Sequence, residues 1–180
     1  MVDFTSVSFL SYSLSTIYMI SERLIFKKIE AQDRADYVPQ VMTDNVMRYI
    51  TGKGLSEKEA HERFDLAMQF GLINPNFGIF SVWSKEAPQY LGLARMKLDE
   101  DGSVEIGYNL LEDFWGKGYG FEIAKTLMDF LISKTEKRNI YALIEPENIG
   151  SVKIVEKLGF QKTKEKSGEK TYFYRFFKDL

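Results

Sequence analysis

Glu105-Ile106-Gly107-Tyr108-Asn109-Leu110-Leu111, then Glu112-Asp113-Phe114, then Trp115-Gly116-Lys117-Gly118-Tyr119-Gly120-Phe121 is the stretch that decides the fold. Its first part continues a strand-like run from Val104. Its second part places three glycines in five residues. After it, Phe121, Ala124, Met128 and Leu131 recur at three- and four-residue steps, the apolar stripe of a helix lying on a sheet. A strand therefore passes through a glycine loop into a helix N-terminus. That arrangement makes an anion site: glycines let backbone N–H groups come close, and the helix dipole favours negative charge. Lys117 adds a mobile positive charge, so a phosphate or pyrophosphate is the expected ligand. The glycines alone leave open a tight turn with only a packing role. No Gly-Lys-Ser/Thr follows, so the loop is not a Walker A sequence, and its spacing is not G-x-G-x-x-G.

Working outward, Phe77–Trp83 and Tyr90–Leu98 read as strands ahead of Val104–Leu111, with Asp99-Glu100-Asp101-Gly102 as the turn joining the last two. Leu24–Ile29 reads as a short strand and Asp33–Met42 as a helix that Pro39 kinks or breaks. Ser56-Glu57-Lys58-Glu59 has the form of a capping box. Ala60, Phe64, Ala67 and Met68 follow at helical spacing, and Gly71 is expected to stop that helix. Beyond the glycine loop, Asn139–Ile144 reads as a strand and Ile149–Leu158 as a helix capped by a left-handed Gly159. Gln161–Lys164 and Lys170–Phe177 read as a hairpin around Ser167-Gly168. The order β-α-α-β-β-β-α-β-α-β-β implies a single mixed α/β domain.

Composition narrows the chemistry. The 180 residues suit one domain with a proper core. Lys+Arg 24 against Asp+Glu 26 gives a net charge of −2, without the basic surplus that a nucleic-acid partner would call for. With no cysteine there is no disulfide, thiol nucleophile or sulfur-ligated zinc. The single histidine, His61, excludes multi-histidine metal centres, so no metal is expected. The first twenty residues lack Lys and Arg, hence the basic start of a signal peptide. Interleaved Ser and Thr keep them short of the roughly 20 apolar residues of a membrane span. Residues 1–20 are expected to be a non-catalytic extension and 21–180 the functional domain, cytoplasmic and without membrane contact.

EIGYNLLEDFWGKGYGFE (105–122), followed by ENIGSVKIVEKLGF (147–160), resembles the GNAT acetyltransferase superfamily, and within it the RimJ/RimL-type branch. The resemblance runs from about Ser21 to the C-terminus. It implies a mostly antiparallel mixed sheet flanked by helices, and acetyl-CoA as the acetyl donor. The superfamily's Gln/Arg-x-x-Gly-x-Gly/Ala loop falls on Trp115–Gly120, with Trp115 at the Gln/Arg position. By that similarity the amides of Gly116, Lys117, Gly118, Tyr119, Gly120 and Phe121 hold the pyrophosphate. The backbone of Tyr108, Asn109 and Leu110 hydrogen-bonds the pantetheine arm, and Asn148 contacts the cofactor.

The implied reaction is direct acetyl transfer to a primary amine. The amine must lose a proton to become a nucleophile, and the developing oxyanion and departing thiolate need donors. Glu105 is the expected base, set by strand alternation on the face of Asn109. The superfamily's usual tyrosine acid falls on Val155, which has no proton to give, so Ser151 is the expected substitute, with Tyr108 behind it. Leu143 stands where some protein-acetylating relatives carry a catalytic Glu, and Glu145 nearby is expected at the surface. Met42, Met47, Arg48 and Tyr49 are expected on the acceptor side. The acceptor could be a protein N-terminus, as in ribosomal-protein acetylation, or a small amine or amino acid. A catalytically silent acyl-CoA-binding module is the competing reading, and the protein is expected to be a monomer or homodimer.

Overall fold

The computed structural model of the chain describes residues 17–134, 139–167 and 171–176. Their strands form one eight-stranded sheet: β1 (Ile17–Ile20), β2 (Leu24–Lys28), β3 (Gly78–Ser84), β4 (Tyr90–Leu98), β5 (Val104–Leu110), β6 (Ile140–Ile144), β7 (Gln161–Ser167) and β8 (Thr171–Phe176). Their spatial order is β1-β2-β3-β4-β5-β6-β8-β7. Every neighbouring pair is antiparallel except β5 and β6. The sheet is thus mixed and mostly antiparallel, with helices on both faces, as the sequence implies. Ile17–Ile20, ahead of the expected domain start at 21, already form an edge strand against β2, and Met19 is buried. Residues 1–16 lie outside the described residues, and so does Gly168 of the hairpin expected around Ser167-Gly168.

Strand alternation gives the sheet two apolar faces. One carries Phe80, Val82, Met96 and Ile106 against Ile123, Leu127 and Leu131 of α4 (Tyr119–Lys134), with Val155 of α5 (Ile149–Lys157). The other carries Leu93 and Tyr90 against α1 (Arg34–Val41) and α3 (Glu57–Ile73), where Tyr37, Val41, Ala60 and Phe64 close a second, smaller core. A single turn, α2 (Asp44–Met47), joins those helices.

Local signals explain most boundaries. Ser56 and Glu59 satisfy each other's backbone amides at the start of α3, the reciprocal cap expected there. After α5, Phe160 N–H reaches Val155 C=O and Gly159 N–H reaches Glu156 C=O, the double closure of a Schellman motif around a left-handed Gly159. Two expectations are corrected. Gly71 does not stop α3, which runs on to Ile73 and is capped at Asn74. Lys28 Cε lies 3.2 Å from where a Cβ on Gly71 would stand, so the small residue makes room for that stem. Pro39 does not end α1 either, because the helix continues to Val41.

The helices on the α1/α3 face depend on Phe64, which is fully buried and packs edge-on to Tyr37 with ring centroids 5.1 Å apart. Phe64→Ala should lower unfolding free energy by about 3–5 kcal/mol, read as a drop in the denaturant midpoint. A loss below about 1 kcal/mol would mean that α3 is held by something other than this core.

Candidate functional site

The site grows from one break in the sheet. The register of β5 against β4 holds through all seven residues of β5, but against β6 it holds only at Val104–Ile140 and Glu105–Tyr141. Beyond Glu105 the two parallel strands part. Backbone groups of successive strand residues point to opposite edges. Val104 N–H donates to Asn139 C=O on the β6 side, whereas Leu111 N–H donates to Leu91 C=O on the β4 side. Even-numbered residues of β5 therefore present their backbone to the gap, among them Tyr108 and Leu110. This amends the expected set of three, since the backbone of Asn109 faces β4. Its carbonyl and its side-chain Oδ1 both accept from Gln40 Nε2, at 3.1 and 3.3 Å. Gln40 is fully buried and also accepts a hydrogen bond from the Tyr90 hydroxyl. Asn109 is thus the tie between β5 and α1.

At the top of the gap, the Trp115 indole N–H closes on Leu110 C=O at 2.9 Å, and the chain turns through the glycine loop into α4. Gly116 and Gly118 have φ of 71° and 82°, the left-handed region that favours glycine. The first backbone bond into α4 is Glu122 N–H to Gly118 C=O, so the amides of Tyr119, Gly120 and Phe121 precede the helical ladder and lack a partner within it. Gly120 is required for a different reason. A Cβ there would lie 2.9 Å from the Tyr108 hydroxyl and 3.1 Å from Ile154 Cδ1. Open amides, an open strand edge and a position too tight for any side chain together form a cradle that suits a pyrophosphate with an extended arm.

The loop is bolted from outside by residues that motif spacing does not connect to it. Arg23 Nε meets Glu122 Oε2 at 2.7 Å, Arg23 Nη1 donates to Lys117 C=O at 3.1 Å, and the guanidinium lies 4.2 Å over the Tyr119 ring. Ser21 Oγ and Arg23 N–H add bonds of 2.6 and 2.7 Å to Glu122 Oε1. Burial pushes the Glu122 carboxyl up, but the hydrogen bonds from Ser21 and Arg23 outweigh it and leave the group below its ordinary range. Lys117 itself stays exposed, its ammonium 5.8 Å from the Phe114 ring.

Under the loop, the Tyr108 hydroxyl sits 3.3 Å from Ser151 Oγ. Asn148 caps α5, its Oδ1 accepting from Ser151 N–H at 3.2 Å. Asn148 therefore does the capping, and the Ser151 hydroxyl turns to Tyr108. Burial raises the Tyr108 hydroxyl above its ordinary value, against a smaller opposing effect of Ser151, so it remains protonated at neutral pH. Val155, at the superfamily's usual tyrosine position, is buried in the core.

On the α1/α3 side of the same strand lies a cavity of about 630 Å³. Tyr37, Tyr49, Arg63, Arg95, Glu105 and Asn109 are among its lining. Glu105 is nearly buried and paired with Arg95 of β4. Leu143 and Glu145 also line the cavity, so Glu145 is not the plain surface residue expected. Of the four acceptor-side residues named from sequence, only Tyr49 lines it; Met47 is in the core and Met42 is 40% exposed. His61 stands apart from the cavity, 3.1 Å from Arg34. Among the described residues no helix is long and apolar enough to cross a membrane, and no cluster of three or more His, Cys, Asp or Glu suits a metal.

The Glu122 bolt is testable without any ligand. Because its proton is bound more weakly in the folded than in the unfolded chain, the stability it adds is full above the unfolded value of about 4.3. It is lost as pH falls through the folded value. Arg23 is 40% exposed, which limits the effect. Glu122→Gln should lower Tm by about 2–4 °C at neutral pH. The gap to wild type should close toward pH 3. A gap that persists unchanged there would show that the carboxylate charge is not what holds the loop.

The comparisons with known proteins agree with this geometry. The family model described as an acetyltransferase (GNAT) domain matches residues 23–161. An uncharacterized N-acetyltransferase, p20, of Bacillus licheniformis is 31% identical over 153 residues, covering 83% of this chain and 84% of that protein. The fold is also that of a Salmonella typhimurium acetyl transferase described as modifying the N-terminal serine of a 50S ribosomal subunit protein: TM-score 0.74, 14% identity, 88% of this chain and 97% of that one. It is likewise that of a Vibrio cholerae spermidine N-acetyltransferase solved with CoA and spermine: TM-score 0.68, 19% identity, 86% and 94% covered. With the family model spanning both the glycine loop and the Asn148 helix, the chain belongs to the GNAT acetyltransferase family and is an N-acetyltransferase.

Proposed function

We propose that the protein transfers acetyl from acetyl-CoA directly to a primary amine, in the manner of the RimJ/RimL-type branch and in the cytoplasm. The observation that carries this reading is the open edge of β5 between two hydroxyl-bearing and amide-bearing walls. Bound acetyl-CoA supplies the sulfur and the activated acyl group, which explains why a chain without cysteine can do acyl transfer. The amides of Gly116–Phe121, with Lys117, hold the pyrophosphate. Tyr108 and Leu110 offer the backbone edge to the pantetheine arm, in the way an added strand is bound. Asn148 keeps its amide nitrogen for the cofactor while its oxygen caps α5.

Glu105 is the base. It stands in the acceptor cavity on the strand that borders the gap, and Arg95 both compensates its buried charge and fixes where its carboxylate points. It removes the proton of the incoming ammonium, directly or through water. Tyr108 and Ser151 form the donor pair on the cofactor side, where the departing thiolate needs a proton. Two hydroxyls in contact can pass a proton along, and together they replace the side chain that Val155 lacks.

A protein N-terminus is the first acceptor we would assign, supported by the likeness in fold to the ribosomal-protein enzyme. A small amine is the second, supported equally by the likeness to the spermidine enzyme. Domain limits follow the same reading: the transferase unit takes in the described sheet from Ile17 onward.

Glu105→Gln should lower kcat by about 10²–10⁴-fold and remove the acid limb of its pH profile, with little change in CoA affinity. Tyr108→Phe with Ser151→Ala should cut kcat further than either alone. Unchanged kinetics in Glu105→Gln would take that residue out of the base role. CoA binding without CoA release across a broad amine panel would favour the silent module.

A further inference from the structure

The acceptor cavity has charges of both signs on different elements. Arg95 on β4 is matched by Glu105 on β5, and Lys97 by Asp99 at 2.9 Å. That leaves Arg63, reaching in from α3, and Glu145, just beyond β6. Among the described residues Arg63 makes no ion pair, and its described partner is the buried Tyr37 hydroxyl. Arg63 and Arg95 line the same cavity, and burial, and after it the positive charge of Arg63, pull Arg95 below an arginine's ordinary value. Gly107 lies directly across from Arg95, and a Cβ there would come 4.0 Å from Arg95 Nε, so this cross-strand position places no side chain of its own over the guanidinium. The cavity thus holds one guanidinium, that of Arg95, with a carboxylate partner, and a second, that of Arg63, whose fork of donors has none among the described residues.

We propose that the acceptor is an amine that also carries an anionic group, a carboxylate in the first instance, with Arg63 receiving that group and the ammonium lying toward Glu105 and Glu145. This rests on the transferase reading and specifies its substrate class. The binding of the two ends in opposite directions sets the nitrogen at the β5 edge, where the acetyl group arrives. A carboxylate of this kind is found on a free amino acid, or on an acidic residue just after a protein's N-terminus. A polyamine offers only positive charge to the same walls and is disfavoured.

The test uses two matched pairs titrated into the CoA-loaded protein: glycine against glycinamide, and a Ser-Asp peptide amide against its Ser-Asn counterpart. Free-CoA release with acetyl-CoA is measured in parallel. The anionic member of one pair should bind about tenfold or more tightly, and which pair does so identifies the source of the carboxylate. Arg63→Ala should erase that preference and raise KM more than it lowers kcat, with CoA affinity as the control for folding; Arg63→Lys should restore part of it. Equal binding of both members, no binding of either anionic member, or a preference that survives in Arg63→Ala would overturn the proposal. Discriminating binding without CoA release would uphold the anion site and reject the transfer reading instead.

Discussion

The parting of β5 and β6 after two paired residues sets where the candidate site lies. A parallel strand pair inside a sheet is ordinarily continuous, because each unpaired backbone group taken from water costs free energy. Here the edge of β5 is left open on one side while β4 pairs with it fully on the other. Backbone groups facing a gap rather than a packed interior can be satisfied by water or by an extended ligand. The candidate site residues are placed relative to that gap: Glu105 where it begins, Tyr108 along it, the glycine loop at its top.

What keeps the gap open is the packing on each side. On one face, α4 is driven into the sheet by Ile123, Leu127 and Leu131, and the Arg23–Glu122 pair ties its first turn to the start of β2. On the other, Gln40 clasps Asn109 and Tyr90 to α1, so the strand cannot swing toward β6 without breaking a buried network. Tyr108 packs against Gly120 with no room for a side chain there, which brings strand and helix close together. The loop is therefore held from both sides, and what it presents to the candidate anion site is backbone amides rather than mobile side chains.

Much of this was legible from residues close together in sequence. The glycine loop, the capping box at Ser56 and Glu59, the closure at Gly159 and the hairpin at Asp99–Gly102 are local chemistry, and each stands where its residues predict. What the sequence hid was the meeting of distant residues. Nothing in spacing links Arg23 to Glu122, Gln40 to Asn109, or Arg63 to Arg95. The backbone direction of Asn109 was hidden for a different reason, since it depends on pairing register rather than on residue type. Gly71 misled because its smallness serves a neighbouring lysine stem and not a turn.

Binding of an acyl-CoA along the open β5 edge and under the glycine loop should leave a backbone signature. Amide hydrogen exchange with and without CoA tests it most directly. CoA should bring new protection of the Tyr108 and Leu110 amides and of those from Gly116 to Phe121, with the Asn109 amide, which faces β4, little changed. Protection confined to other strands, or none on saturation with CoA, would contradict it.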